Sequence, residues 1–383
     1  MRINEKKVAS FIIAILILSI LAIIILSVSM AWFFFKSPPK TGGISENVLK
    51  SSMKGMMGYA SPDDIPIRTP HDRTPLSFNE KDGVKEFRLS AEPIRWEYAN
   101  GYYVTAWGFN GQVPGPEIRV SEGDRVRIIF TNNLPKATAV HWHGVNVPNG
   151  MDGVPGVTQE AVKPNETFVY EFTAEPKGTR YYHAHGSSHM DEAQQLDMGL
   201  YGAFIIEPSN FSEKLHQNGK YDKEFTLLLD EWEIMPDGTN AAMLPGMHSM
   251  DHNVFTINGR AFPDTEPLNV AEGDKVLVRI INAGSSTAHP MHLHGHSFKI
   301  VAVDGNPVQA GAQIVRDTLP VSPGERYDIE ITAGNPGTWI FHCHELHHAD
   351  GGMIIPFMYE GYDNISRPPS QKVPGLGHEM HGG

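Results

Sequence analysis

Two stretches, TQEAVKPNETFVYEFTAEPKGTRYYHAH at 158–185 and DTLPVSPGERYDIEITAGNPGTWIFHCH at 317–344, align without a gap. Upstream of each, VSEGDRVRIIFTN (120–132) and VAEGDKVLVRIIN (270–282) share a hydrophobic alternation and a Glu-Gly-Asp turn. One domain therefore occurs twice. Each copy is a series of short runs rich in Val, Ile, Thr, Tyr and Phe, punctuated by Gly, Pro, Asn and Asp, with little helical periodicity. The pattern predicts an all-β chain with two Greek-key sandwiches or barrels in tandem, the first at 84–212 and the second at 223–362. Between them NFSEKLHQNGKYDK is polar and fits a linker.

Outward from the repeat the composition changes. In the 383-residue chain Arg2, Lys6 and Lys7 precede an uncharged apolar run at 8–35, and about 20 such residues span a bilayer as a helix. The run is longer than a secretory signal core, so 1–36 is expected to be an uncleaved transmembrane helix, with a cleaved signal as the alternative. Basic residues before the run keep that end in the cytoplasm, so a membrane-anchored protein with extracytoplasmic domains is expected. Residues 37–83, rich in Pro, Gly, Ser, Lys and Asp, predict a flexible stalk, and 363–383 form a tail. A net charge of −13 argues against nucleic acid as a partner.

The histidines carry the chemistry. Nineteen placed at random in this length would give about one His-x-His pair. The chain has His141-Trp-His143, His183-Ala-His185, His292-Leu-His294 and His342-Cys-His344, at equivalent places in the two copies. Residues i and i+2 of a strand face the same side, so each pair aims two imidazoles one way and the residue between them the other. His342 and His344 thus face one side and Cys343 the opposite side. Cys343 is the only cysteine, so in an exported chain it is buried and inert, intermolecular, or a metal ligand. Two His, one Cys and a weak axial Met are the ligands of a blue copper centre, and His289, Cys343, His348 and Met353 supply that set.

With HWHG (141–144), HAHG (183–186), HPMHLHGH (289–296) and HCHELHHADGGM (342–353), residues 90–360 resemble the multicopper oxidases of the laccase type. The likeness is to the two-domain kind with its blue copper in the second domain. It implies tandem cupredoxin-like Greek-key β-barrels and four coppers per functional unit. Carried over by motif, the type 1 copper takes His289, Cys343 and His348, with Met353 axial. Type 2 takes His141 and His292; the type 3 pair takes His143, His183, His185, His294, His342 and His344. His347 and His296 are left as supporting residues. Asp152 is the candidate proton relay, and an Asp-Gly turn is its alternative role. Asp350 is a weaker candidate, because the acid that many relatives carry after the last ligand histidine is Ala349 here. In the first copy Ala184 stands for Cys343, Thr138 for His289, and His189 follows His185 as His348 follows His344, so no type 1 copper is expected there.

The resemblance implies oxidation of a reducing substrate, a phenol or a metal ion such as cuprous copper, coupled to reduction of dioxygen to water. Electrons would arrive through a solvent-facing edge of His289. Because each domain holds four cluster histidines, the resemblance also implies a cluster between neighbouring subunits of a homotrimer, closed head to tail. SSMKGMMGY (51–59), AAMLPGMHSMDH (241–252) and GHEMHGG (377–383) add Met and His outside the motifs. Thioethers select cuprous copper, which suggests a role in copper resistance, while Met243 and Met247 could instead fill gaps in a lid. A copper nitrite reductase fits poorly because its blue-copper cysteine lies in the first domain. An electron carrier would leave eight paired histidines unexplained, and a copper-storage protein would not explain their repeat positions.

Overall fold

The computed structural model describes residues 46–59, 61–69, 75–209, 220–244 and 251–362. The chain forms two compact units, Met1–Leu49 and Lys50–Gly383. Only residues 46–49 of the first unit are described, as the opening turn of helix α1 (Glu46–Met57). The expected transmembrane helix at 1–36, the tail at 363–383, and Met247 and Met250 lie outside the described residues. Among the described residues no helix is long and apolar enough to cross a membrane.

The second unit is mostly β. Its first half contains β1 (Val84–Ala99), β2 (Tyr102–Phe109), β3 (Gly115–Ser121), β4 (Arg125–Asn132), β5 (Val140–His143), β6 (Thr167–Thr173) and β7 (Gly178–Ala184). Helix α2 (His189–Asp197) and β8 (Tyr201–Glu207) complete it. One sheet runs β2-β1-β4-β6, lengthened by short edge strands, and the facing sheet runs β3-β8-β7-β5. The second half contains β9 (Lys223–Trp232), β10 (Val254–Ile257), β11 (Leu268–Val270), β12 (Lys275–Asn282) and β13 (His289–Leu293). There follow β14 (Phe298–Val303), β15 (Thr318–Val321), β16 (Arg326–Thr332), β17 (Thr338–Cys343), α3 (Leu346–Asp350) and β18 (Ile354–Tyr359). Its sheets run β10-β9-β12-β16-β14 and β11-β18-β17-β13-β15. The repeat read from the sequence is thus a repeat of two-sheet sandwiches whose neighbouring strands are distant in sequence, the Greek-key pattern.

Strand register fixes the faces. On β5 and β7, His141 lies opposite His183 and Val140 opposite Ala184; on β13 and β17, His292 lies opposite His342 and Met291 opposite Cys343. Val140 and Ala184 belong to the first core, Met291 and Cys343 to the second. The histidines therefore occupy the outer face of each sheet and the intervening residues the inner face.

A third apolar cluster, including Ile94, Trp96, Tyr98, Leu228, Trp232 and Ile281, joins the two halves. Beside it lies a polar knot: Arg279 donates to Asp328 Oδ2 (2.9 Å), Thr179 Oγ1 (2.7 Å) and Glu224 Oε1 (2.8 Å), all buried or nearly so.

The stalk expected at 37–83 needs correction where it is described. Residues 46–57 form α1, with Met53 and Met57 fully buried in the first core and the Trp107 indole donating to Met56 O at 2.8 Å. Met53, Met56 and Met57 recur at i, i+3 and i+4, a helical stripe masked by Ser, Gly and Lys. Gly58, at φ +74°, ends the helix in the left-handed conformation. Met243 is also core: it is 2 % exposed and accepts from Thr105 Oγ1 at 3.4 Å.

Candidate metal centre

The buried group comes first. His289 opens β13, Cys343 ends β17, His348 lies on α3, and Met353 follows just before β18. Cys343 N donates to Met353 O at 3.0 Å, which brings the methionine back against the cysteine. Sulfur to Nδ1 distances are 3.9 Å for His289 and 3.4 Å for His348, and the two Nδ1 atoms are 3.2 Å apart. An ion bound at about 2.0 Å to nitrogen and 2.3 Å to sulfur would give edges of about 3.3–3.7 Å, so the triangle is the right size for a metal. Both Nδ1 atoms face the sulfur. The proton of His289 therefore belongs on Nε2, which donates to Glu231 Oε2 at 2.9 Å. Burial pushes the Cys343 thiol up to about 12, and burial beside His289 lowers His348 to about 4. Phe255 stacks on His348 with centroids 4.2 Å apart. His347 turns away: its Nε2 lies 3.3 Å from His252 O.

Glu231 is the residue that sequence reasoning missed. It is 0 % exposed, and its Oε1 accepts from Ser286 N, Ser286 Oγ and Thr287 N at 3.0–3.2 Å. Burial alone would raise this carboxyl, but the His289 hydrogen bond and the nearby imidazoles hold it below its usual range. The expectation of a solvent-facing His289 edge is also corrected: His289 is 0 % exposed and Glu231 caps its outer nitrogen.

The matching place in the first domain is filled with other chemistry. Ala184 N donates to Leu200 O as Cys343 N does to Met353 O, so Leu200 stands for the methionine. The β5–β7 register puts Thr138 where His289 lies, and its hydroxyl donates to Gln195 Oε1 at 2.5 Å. His189 does not enter this space: its side chain is 98 % exposed.

The eight remaining histidines form two sets of four. In the first domain, ligand atoms of His141, His143 and His183 lie within 4.8 Å of one another, and His143 Nδ1 is 3.4 Å from His183 Nε2. His185 is beside them, its ring 6.2 Å from that of His141. In the second domain His294 Nε2 is 3.0 Å from His342 Nε2, and the rings of His292 and His344 are 5.5 Å apart. Nδ1 of His141, His183, His185, His292 and His342 each bonds a backbone carbonyl, of Asp152, Ala184, Gly186, Asp317 and Cys343, at 2.7–2.9 Å. Each such bond fixes the tautomer and leaves Nε2 bare for a metal. His143 is lowered to about 3 by burial and then by Arg326, and burial also keeps His183 neutral. Among the described residues no hydrogen bond or ring contact joins the two sets. His294 and His344 are exposed.

Asp152 lies at the first set, with carbonyl 2.7 Å and carboxylate 3.4 Å from His141 Nδ1. Gly153 makes this approach possible: at φ +82° a Cβ there would lie 1.9 Å from Val140 O. His296 bonds His294 O and the Tyr359 hydroxyl, a supporting role. Asp350 is exposed at the end of α3.

Two cupredoxin-like domains, one buried His2Cys triangle, and two sets of four histidines, five of them with Nε2 left open, define a copper protein. Sequence profiles of the multicopper oxidases match residues 91–210 and 238–362. A solved blue copper oxidase from Nitrosomonas europaea is 36% identical with a TM-score of 0.64, over 72% of this chain and 86% of that one. The multicopper oxidase mco of Staphylococcus aureus is 25% identical over 72% of this chain and 88% of its own length. A probable nitrite reductase-hydroxylamine oxidoreductase fusion protein of Kuenenia stuttgartiensis is 30% identical over 73% of this chain and 32% of its own. The chain belongs to the multicopper oxidase family. It spans about two fifths to a half of the length of several other curated relatives it matches.

Proposed function

We propose that the chain oxidises a reducing substrate one electron at a time and passes four electrons to dioxygen, giving two waters with four protons. In this reading His289, Cys343, His348 and Met353 would hold the type 1 copper. His141 and His292 hold type 2; His143, His183, His185, His294, His342 and His344 hold the type 3 pair. When bound at these residues, copper would supply the one-electron redox chemistry that couples substrate oxidation to dioxygen reduction. The observation that carries the reading is that Cys343 points toward His289 and His348, while His342, on the other face of the strand, and His344, just past its end, lie with His292. One peptide segment thus links the two sites covalently. Asp152, against His141, is positioned to hold a proton for the developing water. A nitrite reductase reading meets Thr138, Ala184 and Leu200 where its first-domain blue copper would need ligands.

The cluster forms between neighbouring chains, in a homotrimer. Supporting this, each chain carries two separate half-sets and leaves His294 and His344 at its surface. The apolar run at 8–35 supports a membrane anchor with the catalytic domains outside the cytoplasm. As substrate, a small reducing metal ion such as cuprous copper is favoured over a phenol, because Glu231, an anion, caps the buried His289 and denies a phenol direct contact with the ring. Such an oxidase would serve copper resistance. Dioxygen uptake by the copper-loaded protein with cuprous ion, ferrous ion and a phenol tests this: metal ions should support the faster turnover. Phenol turnover that outpaces both ions would contradict it.

A further inference from the structure

The six histidines assigned to the type 3 pair are not evenly served. His143 and His183 form one close pair and His294 and His342 another, whereas His185 stands outside the three-histidine group of its own domain. Its nearest ligand-type neighbour is a carboxylate. Glu192 Oε2 lies 3.2 Å from His185 Nε2, and Glu192 Oε1 lies 3.8 Å from His183 Nδ1.

His185 Nδ1 bonds Gly186 O, so Nε2 presents a lone pair, and an ionised carboxylate is an acceptor only. Two bare acceptors at this distance repel unless a proton or a metal ion lies between them, and a histidine that serves the cluster keeps Nε2 for the metal. Two donors bound at about 2.0–2.1 Å to one tetrahedral ion are about 3.3 Å apart, which is the observed spacing. The helix that presents Glu192 is held firmly. Ser188 caps α2 by accepting from Asp191 N, Asp191 bonds Lys136 and Ser187 N, and Gln195 is fixed by Thr138. Glu192 is half-buried, with 19 % of its side chain exposed. In the second domain the segment after the His-x-His motif instead carries His348 to the sulfur site. In the first domain the corresponding helix turns its side chain toward the other face of the sheet.

We infer that Glu192 is a carboxylate ligand to the copper held by His185, completing with His294 and His342 of a neighbouring chain a three-histidine, one-carboxylate site. The inference rests on the junction cluster proposed above. It gives this chain a harder, more negative site than an all-imidazole one, at the side of the cluster where Glu192 lies.

The test is copper content and the optical and paramagnetic signature of the cluster in copper-loaded full-length wild type, Glu192→Gln, Glu192→Ala and Glu192→Asp. Expected is loss of about one copper equivalent per chain, or weakening of copper binding by about 10–100-fold at that position, in the Gln and Ala variants, with partial recovery in Asp. The blue band of the Cys343 site and the oligomer size report folding and should be unchanged. Full copper occupancy with a wild-type cluster spectrum in both Gln and Ala variants would overturn the assignment of Glu192 alone. A wild type that takes up copper only at Cys343 would overturn this assignment and the junction cluster together.

Discussion

Substitution of Glu231 by glutamine changes one oxygen for an amide at the back of the sulfur site. In the native chain Glu231 Oε2 accepts the Nε2–H of His289 at 2.9 Å, while Oε1 accepts two backbone N–H groups and the Ser286 hydroxyl. Glutamine can keep one of these sides. If its carbonyl stays with Ser286 and Thr287, its NH2 faces the His289 N–H, donor against donor, in a place with no water-accessible escape because both side chains are 0 % exposed. Losing an outer partner of a metal-bound histidine costs about 10–100-fold in metal affinity, or about 1.4–2.7 kcal/mol. Removing the negative charge also destabilises the more positive, oxidised copper, so the reduction potential of the site rises. Chelator competition followed through the blue band measures the affinity, and redox titration of the same band measures the potential. Cluster copper, counted separately, should be unaffected. Unchanged affinity and potential in Glu231→Gln would refute the view that Glu231 orients His289.

Three further outcomes follow from packing and titration. Cys343, raised to about 12 by burial, is a protonated thiol between pH 5 and 9, while His348, lowered to about 4, is already neutral there. Each ion bound at the sulfur must displace the thiol proton, so copper affinity at this site should rise about tenfold per pH unit over that range; a flat profile would mean that the thiolate is already formed. Arg279→Ala leaves buried Asp328 without its ion-pair partner while Glu224 keeps Arg119, and should cost about 3–5 kcal/mol in denaturant unfolding, with part recovered in Arg279→Met/Asp328→Leu. Met57→Ala removes a fully buried side chain from α1 and should loosen the helix by about 2–5 kcal/mol, seen as faster exchange of the Trp107 indole proton that bonds Met56 O.

The parts of this protein that follow local rules were legible in its residues. Strand alternation alone separates Cys343 from His342 and His344, and the register of β13 against β17 bears that separation out. The repeat likewise exposed Ala184 and Thr138 as substitutes for a cysteine and a histidine. What was not legible depends on long-range packing. Glu231 meets His289 across 58 residues of sequence, and in LLLDEWEI it looks like an ordinary polar position in a strand. The available signal was that Asp230 and Glu231 are adjacent, so that alternation cannot place both outside a sheet; both are 0 % exposed. His189 matched His348 by spacing, but the first-domain segment forms a longer helix whose first residue points to solvent, so the analogy of four residues did not transfer. The Met-rich 51–59 stretch has the composition of a stalk but the spacing of an amphipathic helix, and it is the spacing that packing against the first core rewards.

The claim on which most rests is that the cluster is built between chains. Co-expression of two inactive variants tests it: His143→Ala/His183→Ala, which lacks the first-domain pair, and His294→Ala/His342→Ala, which lacks the second. Alone, each should assemble with its blue copper but without a functional cluster or dioxygen uptake. Each mixed trimeric ring would have one junction of its three that combines an intact first-domain set with an intact second-domain set, about a quarter of all junctions at equal expression, and dioxygen uptake should return in proportion. No recovery in mixed assemblies of confirmed composition would contradict the account, because it would place all eight histidines of a working cluster within one chain.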